Sequence, residues 1–80
     1  MDGDLKGERL FIGIKQSTTA LLNNQVKKAF IAQDSAPSIR EPFEDLCKEK
    51  QIPVTYFDTK QQLGRACGID VGAACAVVLI

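Results

Sequence analysis

Leu63-Gly64-Arg65-Ala66-Cys67-Gly68-Ile69-Asp70-Val71-Gly72-Ala73-Ala74 runs from a helix, through a glycine stop, to the mouth of a strand. Thr59 and Gln62 have capping-box spacing at the helix start, and Leu63, Ala66 and Cys67 share one face. Gly68 supplies the left-handed position that ends a helix. Ala74 to Ile80 is then an unbroken apolar run, the pattern of a strand covered on both faces. The loop between them is unusual. Ile69 and Val71 set β-branched apolar side chains around Asp70, where a solvent loop carries polar residues. Two readings of that loop stand level. In one the tip is pinned to the core, with Ile69 packing back toward Leu63 as the residue after a Schellman glycine does. In the other it offers an apolar face to something flat, such as an unstacked base. The first explains Ile69 directly and Val71 less so.

Upstream, helix and strand signals alternate. Arg9 to Ile12 is a short apolar strand ending at Gly13. Lys15 to Asn23 is a helix with Ile14, Leu21 and Leu22 on one side and Asn23-Asn24 as its stop. A second strand lies within Val26 to Gln33 around Ala29-Phe30-Ile31-Ala32, and Asp34-Ser35-Ala36-Pro37 is a turn. A helix over about Ile39 to Lys50 puts Ile39, Phe43, Leu46 and Cys47 on one face. Its start fits either a Ser38–Glu41 capping box or Pro42 at the first helical position. Pro53 to Phe57 is a third strand. Four strands alternating with three helices predict α/β, one sheet with helices on both sides and room for some antiparallel pairing.

The chain has 80 residues and 45% hydrophobic content, which predicts one small domain over 1–80 with a real core. Ten basic and ten acidic residues cancel. A neutral chain is a poor nonspecific polyanion binder, so a nucleic-acid role requires charge sorted in space and a shape-specific site. Cys47, Cys67 and Cys75 are far apart, and there is neither a CxxC pair nor a histidine. Buried reduced thiols are expected, with no zinc and no cofactor. No apolar run approaches a membrane span and Met1 to Lys6 holds no signal region, so the expected place is the cytoplasm, away from membrane.

Chemistry has three candidate seats. The first turn of the Lys15 helix, Lys15-Gln16-Ser17-Thr18, holds no acid, and neither Gly13 nor Ile14 supplies a side-chain cap. Bare amides, a cation and a bidentate amide would meet an anion or a base edge there, unless water alone caps the end. Asp34 and Asp58 each follow a strand, where open α/β sheets place ligands, and two such acids could hold Mg²⁺ for phosphoryl transfer. Turn formation and capping explain them better, and no Walker sequence accompanies them. Cys67 lies at a helix C-terminus without a histidine partner, a poor setting for a thiolate.

Gly13-Ile14-Lys15-Gln16, Ile31-Ala32-Gln33-Asp34 with Ala36-Pro37, Leu46-Cys47 with Ile52-Pro53-Val54, and Leu63 to Val71 occur in an order and spacing that resemble the family of kink-turn-binding ribosomal-type proteins, above all its short bacterial members. The likeness covers nearly the whole chain from Arg9 onward. It implies a single-domain, three-layer α-β-α sandwich with a mixed four-stranded sheet. It implies a non-enzymatic, monomeric protein that binds structured RNA kinked beside sheared G·A pairs, ribosomal RNA being one candidate. The family's guanine-reading stretch falls on Gly13, Ile14, Lys15, Gln16 and Thr19, and its apolar recognition loop on Gly68, Ile69, Asp70 and Val71. Arg65 is placed on the same side. Lys15 stands where the family often has asparagine, Gln16 where it has glutamate, and Thr19 where it has lysine. Residues 1–8 form a short charged N-terminal segment with room for one or two helical turns, where many members begin with a long helix. A protein-interaction module of the same fold, with weak or no RNA binding, is the competing reading.

Overall fold

The computed structural model describes residues 9–80, so the expected N-terminal segment lies outside the described residues. The elements are β1 (Leu10–Ile12), α1 (Ile14–Leu22), β2 (Val26–Ala32), α2 (Pro37–Glu49), β3 (Val54–Phe57), α3 (Lys60–Cys67) and β4 (Cys75–Leu79). They build one four-stranded sheet in the order β1-β4-β2-β3. β4 is antiparallel to both of its neighbours, and β2 pairs with β3 in parallel. The mixed α/β sandwich is therefore the architecture.

The apolar run at the C-terminus becomes the strand beside β2 at the centre of the sheet. Its side chains alternate between two cores, as the pleat dictates. Ala76 and Val78 join Phe30 and Ala32 beneath α3, against Leu63, Ala66 and Cys67. Cys75 and Val77 join Ala29 and Ile31 on the other face, under Ala20 and Leu21 of α1 and Phe43 and Cys47 of α2. The register of β2 against β4 slips between Val26 and Lys28. That extra residue turns Val26 onto the same face as Ala29 and Ile31, where it is buried.

Three expectations need correction. Leu22 is 58% exposed, because the buried stripe of α1 is Ser17, Ala20 and Leu21, with Ile14 half-buried beside them. Ile39 is 39% exposed and does not share the packed face of Phe43 and Cys47. α2 begins neither at a Ser38 cap nor at Pro42. Its cap is Ala36, and Pro37 takes the first position, where a missing N–H and a fixed φ suit a helix entry. The guanidinium of Arg40 anchors this entry by donating to the Gln33 carbonyl at 2.9 Å. Pro42 is left inside the helix. Among the described residues no helix is long and apolar enough to cross a membrane.

Candidate functional site

β1, β2 and β3 all run one way and β4 runs against them. Their C-terminal ends therefore lie beside the N-terminal end of β4, at one end of the sheet. Each is followed at once by a helix, so α1, α2 and α3 all begin at that end. Three positive dipole ends converge there in a chain whose formal charge is zero. Hydrogen bonds lace the end together. The Gly13 amide donates to the Cys75 carbonyl at 2.8 Å, the Ala32 amide to Ala74 at 2.9 Å, and the Gln33 amide to Phe57 at 2.8 Å.

The three helix starts differ. At α3 the Thr59 hydroxyl accepts from the Gln62 amide at 3.1 Å, and Asp34 Oδ1 accepts from the Lys60 amide at 2.8 Å. Asp34 is thus a cap delivered from the end of β2. Asp58 is exposed, and among the described residues no group of acids, cysteines or histidines is arranged to hold a metal ion. At α1 the cap is Gly13, which makes no side-chain bond. Its φ of 100° and ψ of 158° belong to a region that is essentially glycine's own. A Cβ there would meet open space, so backbone geometry, not crowding, calls for glycine. Beyond it Lys15 and Gln16 are exposed, while Ile14 is half-buried against the α1–α2 core. The exposed Thr19 donates its hydroxyl proton to the Lys15 carbonyl at 3.0 Å, one helical turn back.

The loop from Gly68 to Ala74 stands beside this start, since Cys75, the acceptor of the Gly13 amide, is its next residue. α3 ends in a Schellman motif. Gly68 has φ 85° and ψ 24°, its amide donates to Arg65 at 2.9 Å, and the Ile69 amide reaches back to Gly64 at 3.0 Å. Ile69 packs on the core under α3 alongside Leu63. Val71 is 68% exposed, and Asp70 and Arg65 are exposed. The Ala73 amide then donates to the Lys60 carbonyl at 3.0 Å. The Gly13 corner, with Lys15 and Gln16 just beyond it, therefore meets the Ala74–Cys75 end of the loop, and residues 68–73 run back along α3 toward that contact. Sequence reasoning passed over Gly64, which is buried beneath the loop. The available signal was a glycine inside a helix, which helix propensity disfavours.

The thiols take no part. Cys47, Cys67 and Cys75 are buried and unbridged. Burial pushes Cys47 and Cys75 up to about 11, the first helped by the charge of Glu44 and the second held back by a hydrogen bond with Ser17. Burial raises Cys67 as well, a setting that disfavours the thiolate.

Residues 3–80 match the Ribosomal protein L7Ae/L30e/S12e/Gadd45 family. RNA-binding protein TTE2299 of Caldanaerobacter subterraneus subsp. tengcongensis is 44% identical over 69 residues, spanning 86% of this chain and 84% of that one. RNA-binding protein BH0128 of Halalkalibacterium halodurans is 46% identical over 65 residues, 81% and 79% of the two chains. Among solved structures, a protein with unknown function from Bacillus halodurans superposes with a TM-score of 0.79 at 30% identity, over 88% of this chain and 70% of that one. The Giardia lamblia 15.5kD RNA binding protein has the same fold, with a TM-score of 0.83 at 23% identity over 98% of this chain and 65% of its own. On these matches the chain belongs to the ribosomal protein L7Ae/L30e/S12e/Gadd45 family and resembles its short bacterial members.

Proposed function

We propose that this protein binds RNA, without catalysis, at a kink-turn bearing tandem sheared G·A pairs. The observation that carries the reading is the pairing of an uncapped α1 start, with Lys15 and Gln16 exposed, and an exposed Val71 on the α3–β4 loop, whose next residue, Cys75, accepts the Gly13 amide. Gly13 lets the RNA approach the main chain. Lys15 donates to guanine O6 and N7, and Gln16 donates and accepts at the neighbouring base edge. Arg65 and the positive ends of the helices face phosphate. Val71, with Asp70 and the Gly68–Ile69 corner behind it, supports the extruded nucleotide. The names of the bacterial relatives, RNA-binding proteins, agree with this chemistry. The protein acts as a cytoplasmic monomer, with ribosomal RNA one candidate target.

Because the φ of Gly13 strains any other residue, Lys15→Ala with Gln16→Ala is the cleaner probe. The deciding experiment titrates the protein with a kink-turn RNA and with the same RNA lacking its sheared pairs. The double variant is expected to lose the preference while keeping its melting temperature. Equal affinity of the unaltered protein for both RNAs overturns the reading. Thr19 favours the second reading, a protein-interaction module: its hydroxyl proton is engaged within α1, and no lysine stands there to meet phosphate. An apolar protein contact would resist salt, whereas RNA binding weakens with it.

A further inference from the structure

α3 carries a glycine in its second turn, and the loop lies on it. A Cβ built on Gly64 falls 2.0 Å from the Val71 carbonyl oxygen, 3.1 Å from the carbonyl carbon and 3.4 Å from the Gly72 Cα. The obstruction is loop main chain, which cannot swing aside as a flexible side chain would. The neighbouring contact is milder, since a Cβ on Gly72 would lie 3.1 Å from the Lys60 Cβ. Two hydrogen bonds hold the loop in that seat, Ile69 to Gly64 and Ala73 to Lys60, each 3.0 Å. Their acceptors are carbonyls of α3 one turn apart. Helix propensity alone favours alanine over glycine at an interior position, so the loop, not the helix, explains Gly64.

We infer that Gly64 is a positioning residue of the interface. Its missing side chain lets the main chain at 71–72 lie flat on α3, and that seat fixes where Val71 meets the RNA. What the loop meets rests on the RNA reading above; the seating does not. Gly64 is covered by the loop and touches no ligand. A methyl group at 64 must lift the Val71 carbonyl by more than an ångström. Displacement on that scale is enough to spoil a built recognition site.

The test is Gly64→Ala in the full chain, read by amide hydrogen exchange and by titration with kink-turn RNA. Exchange at Ile69 and Ala73 is expected to speed up about tenfold or more while Ala29 and Val77 in the sheet keep their protection. Affinity is expected to fall about tenfold or more. Leu46→Ala, on the opposite face of the sheet, controls for stability: lowered melting with unchanged affinity separates positioning from general loosening. Unaltered exchange at Ile69 and Ala73, or unaltered affinity, overturns the inference. Should Gly64→Ala fail to fold, Gly72→Ala carries the same comparison through the milder contact with Lys60. Should the unaltered protein not prefer the kinked RNA, the functional reading fails, and the exchange data alone decide whether Gly64 seats the loop.

Discussion

Ile69 and Val71 are both β-branched, two positions apart, and they end in different environments. The Schellman geometry at Gly68 sends Ile69 back onto the core beside Leu63, while Val71 stays in solvent. The first outcome was legible in the sequence, because the residue after a left-handed glycine commonly packs on its own helix. The second was not, because Val71 is placed by contacts with α3 that no local pattern shows. Gly64 was missed for the same reason: a forbidden Cβ becomes visible only once the loop lies above it. The two side chains therefore predict a split. Ile69→Ala is expected to lower stability by about 1–2 kcal/mol, the partly buried share of a core truncation. Val71→Ala is expected to stay within about 0.5 kcal/mol of the unaltered protein, yet to weaken kink-turn RNA binding about five- to tenfold through lost apolar contact. Urea melts beside RNA titrations check both, and an equal stability loss at the two positions would contradict the division.

α2 is the element whose ends were least legible. Two starts, a Ser38 capping box and Pro42, competed in the sequence, and the actual one, Pro37, reads there as part of the preceding turn. Pro42 is consequently inside the helix, without an amide for the Ser38 carbonyl one turn earlier and with a ring against it. At the other end Gln51 takes a left-handed φ of 59°, and the Ile52 amide closes the helix on Cys47 at 2.9 Å. Neither glycine nor asparagine marks that stop, so the sequence ran the helix up to Lys50 without naming a cap. At α1, by contrast, Asn24 at φ 57° is the stop the sequence indicated. Two substitutions should strengthen α2. Pro42→Ala restores a main-chain bond and relieves the ring, for an expected gain of about 1–2 kcal/mol after the proline's restraint of the unfolded chain is subtracted. Gln51→Gly removes the left-handed strain, for about 0.5–1 kcal/mol. In a domain this small each kcal/mol raises the melting temperature by about 4–8 °C, so thermal melts suffice. A fall in melting temperature for Pro42→Ala would mean that its ring supports the helix entry.

At the scale of the whole molecule, the α/β class and both helical layers were legible from alternating signals, but the strand order was not. Pairing β1 with β4 joins the two extremes of the described chain, and no local pattern records it. That pairing seats the Gly13 corner beside the 68–74 loop. The resemblance to a known family, not periodicity, supplied this juxtaposition in advance. The same packing seals Cys47 and Cys75 in one core, and it has a consequence for pH. Their thiols titrate near 11 in the fold against 9.0 when exposed, so between those values the unfolded chain sheds protons that the folded chain keeps. Their contribution to stability is complete below pH 9.0 and is lost as pH rises toward 11. Urea midpoints should be level to about pH 8 and fall beyond it, and Cys47→Ala should reduce that slope. A midpoint that stays level to pH 11 would show that the thiols remain accessible to water. Charge follows from the same topology. Ten cations and ten anions give no net basic charge, and the helix starts, being dipoles, release no counterions when RNA binds. Lys15, Lys60 and Arg65 are the exposed cations on the elements that form the site. With about three phosphate contacts at roughly 0.7–0.9 per contact, log affinity against log salt should fall with a slope of about −2 to −3. A slope steeper than about −6 would mean that more cations than these three meet phosphate, and a slope near zero would favour an apolar protein contact. Removing Arg65 as Arg65→Ala should make the slope shallower by about one unit, and an unchanged slope would place Arg65 away from phosphate.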